Sequence, residues 1–169
     1  MPAHLPHWCT VYDVADGWHK SGATGKMHDE LRLQCRIGAG REPEPTAAVI
    51  DSQSVRAAEE VTRASRGYDA GKKVNGRKRH IAGKLVTSAK VKLKPRLALQ
   101  IIKRPGDLHT FQVLPRRWVV ERTLAWITRC RRSVRDYERL PAHHETIVYW
   151  AMTITLTRRL ARGSASGEL

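Results

Sequence analysis

Residues 116–132, RRWVVERTLAWITRCRR, hold the pattern that most restricts how this chain can fold. Pro115 precedes the stretch and no Gly or Pro interrupts it, so the sequence predicts one amphipathic helix. Val119, Trp126, Cys130, Val134 and Tyr137 recur at helical spacing and mark one apolar face, expected to pack on a core. Glu121 falls on a different stripe, with Arg117, Ala125, Thr128 and Arg132. A carboxylate among arginines on an anchored helix can hold a divalent metal against a phosphate backbone. It can equally pair with Arg117 one turn away, a contact worth about 0.2–0.5 kcal/mol. Spacing alone leaves both open.

Charge narrows the partner. The chain has 31 Lys+Arg against 16 Asp+Glu in 169 residues, a net charge of +15. Residues 63–104 hold 14 of those cations and one acid, Asp69; residues 116–139 hold eight arginines and three acids. Two basic segments beside two carboxylate-bearing stretches point to a polyanion, most simply nucleic acid, held around a reaction centre. A solvated basic surface, or an RNA binder without chemistry, fits the same charges. Cys9, Cys35 and Cys130 are widely spaced with no C-x-x-C, which predicts thiols in a reducing compartment rather than a disulfide framework or zinc site. No apolar run approaches the roughly 18–20 residues of a membrane span, and no signal-peptide pattern opens the chain. A cytoplasmic protein, nucleoid-associated when bound to DNA, is the expectation.

In chain order, residues 1–41 predict two helices around the break at Ser21–Gly25. Trp8, Val11, Tyr12, Val14 and Trp18 stripe the first; Met27, Leu31 and Cys35 stripe the second. Residues 38–45, GAGREPEP, read as a linker. The apolar run Ala47–Ile50 closed by Asp51 predicts a buried strand that projects a carboxylate from its end; the other reading of Asp51 is a turn or cap before Ser52–Ser54. Residues 56–75 read as a mobile, basic excursion. Arg77, Lys78 and Arg79, in RKRHIA, should enter a second strand and track a DNA backbone through phosphates. Residues 84–94 then predict a basic helix, 97–103 a strand, 104–108 a turn, 135–141 a polar break and 145–162 a last helix ending in arginines.

Four stretches, AAVIDSQSV, RKRHIA, RRWVVERTLAWITRCRR and RDYERLP, resemble in order the segments of bacterial insertion-sequence transposases of the DDE type. The resemblance implies a ribonuclease H-like core. It also implies that Asp51 is the first metal-binding carboxylate and Glu121 the helical one, with Mg²⁺ or Mn²⁺ as cofactor. Arg116, Arg117 and Arg122 become candidates for holding phosphates beside them. Trp118 and Trp126 either stack on a displaced base or pack in the core. Relatives continue after RKRHIA through further strands and a helix to a second catalytic Asp, whereas this chain passes straight to GKLVT. The acids between Asp51 and Glu121 are Glu59, Glu60, Asp69 and Asp107, and none ends an apolar strand. An internal deletion is therefore expected. The N-terminal helices resemble the tail of a larger helical domain, which predicts that its start is missing; a complete helix-turn-helix is the competing reading.

The sequence thus predicts an α/β chain: a partial ribonuclease H-like mixed sheet with flanking helices, preceded by a short helical fragment. The expected divisions are a helical remnant and linker at 1–43, an incomplete catalytic domain at 44–162 and a disordered tail at 163–169. Strand transfer by two metals needs cations about 3.5–4 Å apart, with oxygen ligands. Two carboxylates are too few for that. The expectation is a transposase-type protein binding double-stranded transposon ends, alone or as a homo-oligomer, with metal binding and catalysis weakened or lost. A non-catalytic relic that inhibits intact transposase is the alternative.

Overall fold

Gly22 turns the N-terminal segment back on itself. The computed structural model describes residues 5–45, 51–81 and 117–165. Within them the first apolar periodicities become α1 (Trp8–Lys20) and α2 (Ala23–Ile37). Gly22 between them takes φ +71°, a left-handed conformation that costs other residues more. Helix α2 buries Thr24, Gly25 and Cys35, whereas α1 buries nothing completely. Its stripe of Trp8, Val11, Tyr12, Val14 and Trp18 remains 47–61% exposed.

The helix predicted over residues 116–132 is divided. It becomes α3 (Arg117–Thr128) and the four-residue α4 (Arg131–Val134). At the division Cys130 adopts φ −79° and ψ 108°, and its N–H reaches only to the Ile127 carbonyl, at 3.1 Å. Beyond it Ser133 is fully buried with its carbonyl turned to Arg79, so a tertiary contact outweighs local helix propensity. The division also changes which face is covered. Val120 and Ile127 are 8% and 1% exposed, while Val134 and Tyr137 are 57% and 40% exposed. The buried stripe lies one residue, about 100°, around from the one read through Val119 and Trp126.

The long helix α5 (Pro141–Ala165) joins the N-terminal pair to the rest. Its 25 residues span about 37 Å. It starts one turn before the predicted Glu145, because proline at a first helical position sacrifices no intrahelical bond. It also continues past Arg162 to Ala165, into the tail expected to be disordered. Helix α5 packs along α1, α2, α3 and α4. The Trp18 and Trp150 rings lie 5.6 Å apart, and the Cys35 thiol donates to the Leu156 carbonyl at 3.5 Å.

The described strands are β1 (Asp51–Arg56), β2 (Gly67–Asp69) and β3 (Val74–Ile81), in spatial order β1-β3-β2. All pair antiparallel, so this part of the expected mixed sheet is not itself mixed; an isolated bridge between Ala57 and Asp136 runs parallel. Residues 56–75, read as an excursion between strands, hold defined structure of their own. They contain a 3-10 turn at Arg63–Ser65, strand β2, and Ala57, Ala58 and Val61 at 1–5% exposure. At Gly76 the strands come too close for a side chain: an added Cβ would lie 1.8 Å from the Val55 carbonyl oxygen. The strand read over residues 47–50 and the elements read over 84–94, 97–103 and 104–108 lie outside the described residues.

Candidate functional site

Strand pleat decides which way each charged side chain of the β1–β3 ladder points. Asp51 is the first described residue of β1, paired with Ile81, and Ser52–Ser54 continue the strand instead of making a turn. Cross-strand partners share a face, so Asp51, Gln53 and Val55 lie with Arg77 and Arg79. Ser52, Ser54, Lys78 and His80 occupy the other face. Asp51 itself is exposed. The RKR tract is therefore not one surface: Lys78 is exposed on one side, and its two arginine neighbours face the interior on the other.

Those arginines close a polar clasp on the loop between α4 and α5. Arg77 donates from Nη1 to Asp136 Oδ2 at 2.9 Å and to the Glu138 carbonyl at 2.8 Å. Its remaining nitrogens reach Ser65 and the Arg139 carbonyl. Arg79, 9% exposed, donates to Gln53 Oε1 and to the Ser133 carbonyl, and lies 3.4 Å from His144 Nε2. Asp136 has no exposed surface; its Oδ1 accepts the Glu138 N–H at 2.9 Å and lies 3.2 Å from His144 Nδ1. Nε2 of His144 faces a guanidinium, which only donates, and Nδ1 faces the Asp136 carboxylate. Burial holds the His144 pKa below its ordinary value, with Asp136 opposing that shift and the two arginines reinforcing it. Burial likewise lowers the Arg79 pKa, again against Asp136. A neutral histidine, one carboxylate and two guanidiniums make a structural hub with a surplus positive charge.

Glu121 stands exposed on α3. Arg122 beside it is held between two indoles, 4.4 Å from the Trp118 ring centre and 4.9 Å from that of Trp126. Trp118 is 49% exposed, so it is not a core residue. The sandwich fixes a guanidinium on the helix surface, where it can meet a phosphate at reduced entropic cost. Arg132, on the Glu121 stripe in the sequence, instead ion-pairs with Glu138 at 2.8 Å. Arg117 is the first residue of α3, and Arg116 lies outside the described residues. Among the described residues, no group of three or more His, Cys, Asp or Glu is placed to hold a metal ion. No helix there is long and apolar enough to cross a membrane.

Sequence reasoning missed Asp136. The motif RDYERLP contained it, with Glu138 as a second acid between the same two arginines, but a carboxylate in a polar break does not advertise burial. A family model described as Transposase DDE domain matches the chain in two segments, residues 42–85 and 83–156. No curated protein and no solved structure matches. The two segments take in more than half of the chain and all four quoted motifs, and the chain therefore belongs to the transposase DDE domain family.

Proposed function

We propose that this chain is a transposase-type DNA-binding protein whose strand-cleavage chemistry is impaired by loss of the segment bearing the second catalytic carboxylate. The observation that carries this reading is the join in the family match: its two segments meet at residues 83–85, where RKRHIA passes into GKLVT. The β1–β3 ladder is then a remnant of a ribonuclease H-like sheet, with residues 44–162 an incomplete catalytic domain behind a helical segment at 1–43. Asp51 and Glu121 are the surviving carboxylates. Relatives generally use divalent metals, and a hard cation such as Mg²⁺ or Mn²⁺ takes several oxygen ligands. The described residues do not supply them: Asp69, the other acid of the described strands, is engaged by Ser54, the Lys72 N–H and Lys78, and Glu59 and Glu60 stand exposed in the turn after β1. We therefore assign no catalytic step to a bound metal. DNA contacts fall to Arg122 and Lys78 on the surface, to Arg117 at the start of α3 and to Arg116, its neighbour in the sequence; Arg77 and Arg79 act through the clasp.

The same join favours one further reading, a non-catalytic inhibitor that occupies transposon ends or enters mixed oligomers with intact transposase. Supercoiled-plasmid nicking with Mg²⁺ or Mn²⁺, comparing the native chain with Asp51→Ala, tests the catalytic claim. The expected result is equal, negligible nicking by both folded proteins, with duplex binding retained. Metal-dependent nicking that vanishes in Asp51→Ala would overturn the claim of impaired chemistry. A preference for inverted-repeat ends over random duplex supports the inhibitor; equal affinity for both counts against it.

A further inference from the structure

We propose that the apolar face of α1 is a docking surface for a second copy of this chain, paired about a two-fold axis. Trp8, Val11, Tyr12, Val14 and Trp18 cover an arc of about 160° on the helix. With Leu5, which precedes it, each is 47–61% exposed. Helix α5 covers only part of that arc: Trp18 lies against Trp150, and His143 Nε2 stands 3.4 Å from the Tyr12 hydroxyl and 3.3 Å from Asp16 Oδ1. Between the two helices a cleft of about 430 Å³ stays open, its apolar lining made by Trp8, Val11, Tyr12, Ile147 and Trp150. Scattered exposed hydrophobes are ordinary. Several on one helix face, opening into a cleft, form the contiguous patch that marks a protein contact.

Charge selects the occupant. Residues 1–45 carry five Lys/Arg and six acids, a net −1, which leaves +16 on the rest of the chain. A nucleic acid is drawn to the basic remainder and not to a near-neutral apolar face. For two copies the imbalance works the other way: their basic parts repel, and this face is where they meet without that cost. The charged residues lining the cleft are of both signs, Asp16 and Glu138 with Arg132. A two-fold axis applies the same patch to itself, so it can set acid against base. Size then decides how firm the pairing is. A whole aromatic side chain buries about 150–250 Å², so the open parts of Trp8, Tyr12 and Trp18 supply on the order of 300 Å² per copy. Leu5, Val11 and Val14 raise this toward the roughly 800 Å² per partner of a standard interface without reaching it. The dimer is therefore reversible, and it uses none of the cations assigned to DNA.

Sedimentation velocity on the full chain without DNA tests the proposal over about 1–100 µM, where interfaces of modest quality associate. The native chain should pass from monomer to dimer across that range. Val11→Asp and Trp8→Ser should each weaken association roughly tenfold or more. Both side chains are half-exposed or more, so circular dichroism should show the fold retained. Tyr68→Ser, which removes a comparably exposed ring from the sheet, should leave association unchanged. Raising salt from about 0.1 to 0.5 M should preserve or tighten the dimer, because screening removes residual repulsion between the copies. A native chain that stays monomeric throughout, a Val11→Asp variant that dimerises like the native chain, or a dimer that salt dissolves would each overturn the interface. The DNA reading is separable, since it rests on duplex affinity, which falls with salt.

Discussion

Asp136 joins strand β3 to the loop that follows the Glu121 helix, and it does so with no contact to water. Removing one member of a buried ion pair leaves the other uncompensated, at a cost of about 3–5 kcal/mol. Asp136→Ala should lower unfolding stability in urea by that amount, since Arg77 and Arg79 would both lose their counter-charge. A loss under about 1 kcal/mol would mean that water enters and solvates the arginines. His144 adds a pH dependence whose sign follows from its depressed pKa. As pH falls below the ordinary imidazole value near 6.5, the unfolded chain takes up a proton that the folded chain resists, so stability declines with acid. The contribution is complete above that pH. Replacing His144 with Gln should flatten the slope of stability between about pH 6.5 and 5. Gly76→Ala should destabilise more than a surface change, because the strained neighbour is the Val55 carbonyl, backbone that cannot swing aside.

At the scale of elements, α3 offers the sharpest comparison. Ile127→Ala removes a side chain that is 1% exposed and should cost about 2–5 kcal/mol, while Val134→Ala, at a residue 57% exposed, should stay within about 0.5 kcal/mol. Thermal or urea unfolding of the two variants distinguishes the covered face from the one that periodicity suggested. Periodicity found the helix because apolar spacing is local information. It ran the stripe on to Val134 and Tyr137 because the break at Cys130 depends on Ser133 meeting Arg79, 54 positions away in sequence. Both N-terminal helices, strand β3 over RKRHIA and the last helix were legible for the same local reason. The strand character of Ser52–Ser54 was hidden, since polar residues in a half-covered ladder look like a turn. So was the opposite fate of Arg77 and Lys78: pleat alternates them, and only the register with β1 says which one is inside. Asp51 and Glu121 were singled out through family likeness, and chemistry at a distance leaves no periodic trace.

At the scale of the molecule, the +15 charge is not all available to DNA. Arg77 and Arg79 are consumed by the clasp, and Arg132 is paired with Glu138. Exposed cations remain at Lys72 and Lys73 in the β2–β3 turn, at Lys78 on β3 and at Arg122 on α3. Counterion release makes the logarithm of duplex affinity fall linearly with the logarithm of salt, with a slope of about −0.9 for each phosphate neutralised. Replacing a surface cation with Gln should therefore reduce that slope by about one while leaving unfolding stability nearly unchanged. Arg122→Gln is the case to measure, because its guanidinium is held by Trp118 and Trp126 instead of by a carboxylate. Arg79→Gln should do the reverse, costing stability while leaving the slope of the remaining folded protein alone. The separation has a physical basis: a cation neutralises a phosphate only if the phosphate can reach it, and burial that lowers the Arg79 pKa also denies that approach. If both variants shift the slope equally, the clasp opens when DNA binds, and the interior arginines join the contact surface.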